Sequence, residues 1–114
     1  MDKKMFEKNK EYLEDNDIQF NGRAWDEFPF SAELECWTDA GEDMIIDLEE
    51  LSKNGLQKWI DGFDVNEEVM LWWTEMTQSE REQRGYPFDN IKDHYTDLEN
   101  FLEWLQGVCD GMEF

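Results

Sequence analysis

Apolar and polar residues alternate on both sides of a short polar break in the first half of the chain. Phe30, Ala32, Leu34 and Cys36 alternate with Ser31, Glu33, Glu35 and Trp37. Beyond Asp39-Ala40-Gly41, Met44, Ile46 and Leu48 alternate with Asp43, Ile45, Asp47 and Glu49. A period of two marks strands with one buried face, so residues 30–49 are predicted to form an antiparallel hairpin. A three-residue loop with Gly41 in the left-handed region suits the break. It pairs Cys36 with Met44, Leu34 with Ile46 and Ala32 with Leu48, and puts every even-numbered apolar residue on one face. A two-residue loop would mix the faces, because a one-residue slip turns a strand over.

Elsewhere the spacing is helical. Residues 2–16 place Met5, Phe6, Tyr12 and Leu13 on one face. Asn16-Asp17 and Asn21-Gly22 break that pattern, with a short strand expected over 18–25. Ser52 is the expected N-cap of a helix carrying Leu56, Trp59, Ile60 and Phe63. Asp64 or Asn66 opens the next, with Glu67 and Glu68 favourably placed in its first turn. Val69, Met70, Trp72, Trp73 and Met76 give that helix its apolar side. Trp72 and Trp73 are adjacent, so one of them is expected at a rim. Residues 77–84 are polar all round, and either extend this helix into solvent or form a loop. Gly85 and Pro87 interrupt the chain. Asp89 then caps a long helix reaching about Gln106, with Ile91, Tyr95, Leu98, Leu102, Leu105 and Cys109 as its stripe and Phe101 and Val108 widening it. His94 falls one step off the stripe, at its boundary. This order predicts an α+β fold: a small antiparallel sheet of two or three strands packed with an N-terminal helix and three C-terminal helices. A chain of 114 residues, 39% apolar and 15% aromatic, suits one domain spanning residues 1–114.

Charge changes the picture more than any motif does. Thirty acidic residues against ten basic ones leave a formal net charge of −20, where about 2–8 units keep a small domain dispersed. The distribution is uneven. From Ala24 to Ser52 there are ten carboxylates and no Lys or Arg; Trp59–Glu80 and Asp93–Phe114 hold six each, again with no cation. The proposed register sets Glu33 directly across from Asp47, an unfavourable pairing of like charges. Asp89, Asp93 and Asp97 follow one another every four residues, with Glu99 and Glu103 as a second row, and each like-charged pair costs on the order of 0.2–0.5 kcal/mol. Side chains one helical turn apart stand roughly 5–6 Å from each other. The phosphates of one DNA strand, advancing ~3.4 Å of axis each, lie a similar distance apart once the tilt of the backbone is included. Ordered rows of acid can therefore imitate rows of phosphate. Acidity also serves solubility alone, so the rows carry the argument and the total does not.

Chemistry at a catalytic centre finds little support. His94 is the only histidine and lies in no nucleophile motif. Cys36 and Cys109 sit in apolar patterns and are expected as two separate reduced thiols. Two Cys, one His and no CxxC argue against zinc, and the glycine-rich phosphate loops are absent. Glu50-Leu51-Ser52-Lys53-Asn54-Gly55 comes nearest to a calcium loop but fails its pattern. No cofactor and no metal are expected. Neither a signal peptide nor an apolar run of roughly 20 residues is present, which makes the cytosol the expected compartment.

Two resemblances bear on function. In charge, size and compact α+β character the chain resembles the small acidic inhibitors carried by phages and mobile elements, among them antirestriction and anti-CRISPR proteins and other DNA mimics. Those families share no motif, so no site residues carry over. The stretch Phe63-Asp64-Val65-Asn66-Glu67-Glu68-Val69 with Trp72, then Gly85-Tyr86-Pro87 and a helix bearing Leu98 and Leu102, is similar to small acidic proteins of mobile elements; it implies a genomic setting more than an activity. The expectation is a non-enzymatic acidic binding protein, a DNA mimic that occupies the basic nucleic-acid-binding surface of another protein without touching nucleic acid or membrane itself. The alternative is an adaptor or immunity-type protein that neutralises a basic partner. The candidate contact residues are Glu33, Glu35, Asp43, Asp47 and Glu49 on the hairpin and Asp89, Asp93, Asp97, Glu99 and Glu103 on the last helix. Trp37 either covers the sheet edge or stands exposed as an apolar anchor.

Overall fold

A computed structural model describes residues 3–22 and 31–112 of the chain. Phe30, the 23–25 end of the expected first strand and the first residue of the expected N-terminal helix lie outside the described residues. Within them the fold is α+β. Helix α1 (Lys3–Asp15) leads into strands β1 (Gln19–Gly22), β2 (Ala32–Trp37) and β3 (Asp43–Leu48). Helices α2 (Lys53–Gly62) and α3 (Val65–Met70), a π-helical segment (Leu71–Glu75), and helices α4 (Gln78–Gln83) and α5 (Ile91–Asp110) follow. The antiparallel sheet has the order β1-β2-β3.

The hairpin has the expected register. Cys36 pairs with Met44, Leu34 with Ile46, Ala32 with Leu48, and Glu33 faces Asp47. Thr38 N–H donates to the Glu42 carbonyl at 2.9 Å, which closes a three-residue loop in which Gly41 has φ +99°. Ala32, Leu34, Cys36, Met44, Ile46 and Leu48 are all buried and join one core with Phe6, Leu13, Leu56, Val69 and the inner face of α5.

Local chemistry explains the helix ends. The α1 terminus is closed by Ile18 N–H to Leu13 O at 3.0 Å and Asp17 N–H to Glu14 O at 3.2 Å. That is the Schellman pattern, with Asp17 in the left-handed conformation (φ +64°) and Ile18 packing back onto the core. Ser52 caps α2 by accepting from Gly55 N–H, and Asp64, not Asn66, caps α3 by accepting from Glu67 N–H. The all-polar stretch 77–84 becomes a separate short helix with a Thr77–Glu80 capping box, and so neither a loop nor an extension of α3.

Three expectations are corrected. Asn90, not Asp89, caps α5: its side chain accepts from Asp93 N–H at 2.8 Å. The helix then runs on to Asp110, because Val108 and Cys109 continue its buried face beyond Gln106. That face is also rotated from the predicted stripe. His94, Asp97, Leu98, Phe101, Leu105, Val108 and Cys109 are buried, whereas Ile91 is exposed. A hydropathy stripe cannot see this, because two of the inward positions are polar and find partners only in the folded chain. Among the described residues no helix is long and apolar enough to cross a membrane.

Candidate acidic interface

Since the even-numbered strand residues enter the core, the odd-numbered ones form the opposite sheet face. Glu33, Glu35, Trp37, Asp43 and Asp47 all stand there, as the alternation implies. None of the three strands contains Lys or Arg. Trp37 is 49% exposed and so stands open rather than covering the sheet edge; Ile45, 48% exposed, lies diagonally from it across the β2–β3 ladder. The face is therefore an apolar pair set among carboxylates. The signal for Ile45 in the sequence is that it is the one large aliphatic residue in the polar phase of β3.

The acids on this face interact. Asn21, at the bulge between Phe20 and Gly22, donates to Glu35 Oε1 at 2.9 Å and reaches Glu33 Oε2 at 3.5 Å. The hydrogen bonds from Asn21 and from Asp43 hold the Glu35 carboxyl below its ordinary range. Asp43 moves the other way: partial desolvation, with its hydrogen bond to Glu35 and the Glu35 charge, pushes it up to about 6. Glu35 and Asp43, diagonal neighbours across the ladder, are thus pushed in opposite directions. Burial, with those same two charges adding to it, pushes the Cys36 thiol up to about 12, which makes it inert. Cys36 and Cys109 are both free and buried.

Past the end of β3 the acidic surface continues into a groove of about 640 Å³. Asp47, Glu49 and Glu50 come from the chain before α2. Asp64, Glu67, Glu68 and Glu75 come from the chain after it, and Trp59, Phe63 and Leu71 supply apolar surface between them. Among the described residues Lys58 is the only cation lining the groove. Its ammonium rests on Glu49 Oε2 at 2.9 Å, holding that carboxyl below its usual range. Asp47 belongs to both the sheet face and the groove. Sequence reasoning missed the groove because its walls come from segments that no single period connects.

The acids of the last helix do not form the expected row. Asp97, 8% exposed, turns inward and accepts from Ala40 N–H at 3.1 Å, so the expected Asp89–Asp93–Asp97 row is broken at its third member. Asp89, Asp93, Glu99 and Glu103 are exposed. Glu99 and Glu103 point away from the core on α5, as the sheet face does on the other side of that core, so the structure does not bring these two together with the hairpin acids.

A buried polar cluster lies under the hairpin loop. His94, wholly enclosed, meets Glu42 Oε2 through Nε2 at 3.1 Å. Its Nδ1 accepts from the Trp73 indole N–H at 3.3 Å and is hydrogen-bonded to the Tyr86 hydroxyl. An indole nitrogen only donates, so Nδ1 is an acceptor and Nε2 carries the hydrogen given to Glu42. Phe88 stacks on the imidazole at 4.5 Å and Trp72 on Tyr86 at 4.5 Å. The π-helical segment lets adjacent Trp72 and Trp73 both turn toward Tyr86. Glu42 Oε1 and Asp97 Oδ2 are buried without a hydrogen-bond partner among the described residues. Among those residues no group of three or more His, Cys, Asp or Glu side chains is arranged to hold a metal. The imidazole is closed to solvent, and the cluster ties the loop 38–42 to α5.

Comparison with protein-family models, with curated proteins and with solved structures finds no match to this chain.

Proposed function

We propose that this is a non-enzymatic acidic binding protein whose open sheet face occupies the basic, nucleic-acid-binding surface of another protein. The observation that carries the reading is the face itself: Glu33, Glu35, Asp43 and Asp47 around Trp37 and Ile45, with no cation from any of the three strands. The combined field of these carboxylates attracts a partner surface that supplies Lys and Arg. The enclosed position of the only histidine supports a binding role over a catalytic one. Mobile-element inhibitors of the DNA-mimic kind are the class that the composition resembles, and the two buried free thiols accord with a cytosolic setting.

A second reading has its own support. The exposed Trp37–Ile45 pair is what a partner-specific hot spot needs, and duplex DNA offers no counterpart to it. This favours the adaptor or immunity-type function, in which a single basic partner is neutralised. Both readings are tested with the immobilised protein and a variant carrying Glu33→Gln, Glu35→Gln, Asp43→Asn and Asp47→Asn. The wild type is expected to retain a basic protein from host lysate that elutes in a salt gradient, and the variant to release it at much lower salt. Elution by excess duplex DNA supports mimicry; retention in its presence supports the immunity-type reading. Equal retention by variant and wild type would sink both.

A further inference from the structure

We propose that the groove beside α2 takes a basic amphipathic helix from a partner protein, as a second contact distinct from the sheet face. Its volume, about 640 Å³, lies in the roughly 300–1,000 Å³ range of concave binding sites. The floor is apolar: Trp59 and Phe63 pack with ring centroids 5.2 Å apart, and Leu71 lies exposed beside them. Carboxylates stand on both sides of that floor in the chain, before α2 and after it. Lys58 is already held by Glu49, so the described lining offers no second cation to Glu50, Glu67 and Glu75. A cleft lined by one sign of charge concentrates its field on whatever enters.

These features together define the occupant. A purely cationic segment would satisfy the carboxylates and leave the floor wet. A purely apolar one would cover the floor and desolvate the acids at its borders, at high cost. An extended peptide sends alternate side chains to opposite sides, so a strictly alternating one offers the groove either its apolar residues or its cations and never both. A helix with apolar residues at i, i+3, i+4 and i+7, flanked on both sides by Arg or Lys, sets an apolar centre between two charged borders. Gly62 has open space where a side chain would stand, which leaves the groove room at that point.

The test uses the intact protein and fluorescein-labelled 14-residue peptides read by fluorescence anisotropy. One peptide carries Leu at helical spacing with Arg on both flanks; a second has the same composition scrambled into strict alternation; a third has Ser for every Leu. The helical peptide is expected to bind about tenfold tighter than either control, which is about 1.4 kcal/mol. Glu67→Gln with Glu75→Gln, and separately Leu71→Ser, are expected to weaken it by about tenfold; all three positions are exposed, and a thermal melt confirms that the variants fold. A sheet-face variant that spares the shared Asp47 (Glu33→Gln, Glu35→Gln and Asp43→Asn, none of which lines the groove) is expected to bind the helical peptide within about twofold of wild type, so failure of the groove and failure of the sheet-face reading are separately visible. Equal binding of all three peptides would reduce the groove to a polyelectrolyte surface and overturn the proposal. No binding, or binding unmoved by the groove variants, would also overturn it.

Discussion

At the scale of single residues, the positions that decide this protein are those where a polar group sits inside. His94 joins Glu42, Trp73 and Tyr86 in one enclosed cluster. Replacing it with Ala leaves a buried carboxylate and two donors without their partner. Leaving a buried polar group without its partner costs roughly 1–3 kcal/mol, and His94→Ala is expected to lower the urea midpoint accordingly. A midpoint within experimental error of wild type would show the cluster to be energetically idle. On the open face Asp43 makes a subtler case. Its folded-state pKa is raised to about 6. Below the ordinary carboxylate range the group is protonated in both states and exerts no differential effect. As pH rises toward 6, the unfolded chain ionises first and the folded state loses relative stability, with the full penalty above 6. Glu35 has the opposite sign, being lowered in the fold. Asp43→Asn removes the penalty, so the variant is expected to equal wild type near pH 3.5 and to exceed it at pH 7 by about 0.5 kcal/mol, as measured by urea unfolding at both pH values. A variant less stable at pH 7 would mean that the Asp43 charge is welcomed on that face.

At the scale of elements, ends matter more than middles. Ser52, Asp64, Thr77 and Asn90 each cap a helix; residue type and spacing point to Ser52 outright and leave the second cap open between Asp64 and Asn66. They do not point to Asn90, because Asp89 beside it is an equally good cap by type; the choice rests on which side chain reaches Asp93 N–H. The α1 terminus carries a correctable strain. Asp17 occupies the left-handed region that glycine enters without penalty. Asp17→Gly is expected to raise stability by about 0.5–1 kcal/mol, seen as a higher thermal midpoint; a lower one would indicate that the Asp17 side chain contributes more than its backbone strain removes. The hairpin is the most legible element, because period two, a glycine and an odd-length loop admit a single register that keeps the apolar set together. The π-helical turn is the least legible: adjacent Trp72 and Trp73 signal a conflict on a regular helix, but only Tyr86, arriving from the 85–88 loop, gives both rings a place to pack.

At the scale of the whole molecule, twenty excess negative charges press outward on a small core. Salt screens that repulsion, with a Debye length of about 10 Å at 0.1 M and about 3 Å at 1 M. Stability is therefore expected to rise between about 0.05 and 0.5 M NaCl, as a higher urea midpoint at constant slope. A falling midpoint would mean that attractive pairs such as Lys58–Glu49 outweigh the repulsion. The charge is also sorted spatially. The sheet face and the groove join through Asp47 into one acidic surface, while Glu99 and Glu103 occupy another. A partner large enough to cover the first surface need not touch the second.

The order of side chains along the chain determined the strand register, the burial of the even-numbered hairpin residues, the cap at Ser52, and the concentration of acid on the odd-numbered face, because each of these depends on neighbours within a few residues. Tertiary structure alone decided that Asp97 and His94 turn inward, that Trp37 and Ile45 on the odd-numbered face stand open, and that β3, α2 and α3 line a groove. Those outcomes depend on groups brought together from distant parts of the chain. A buried carboxylate or imidazole is tolerated only where such a group meets it, and periodicity has no means of announcing the meeting.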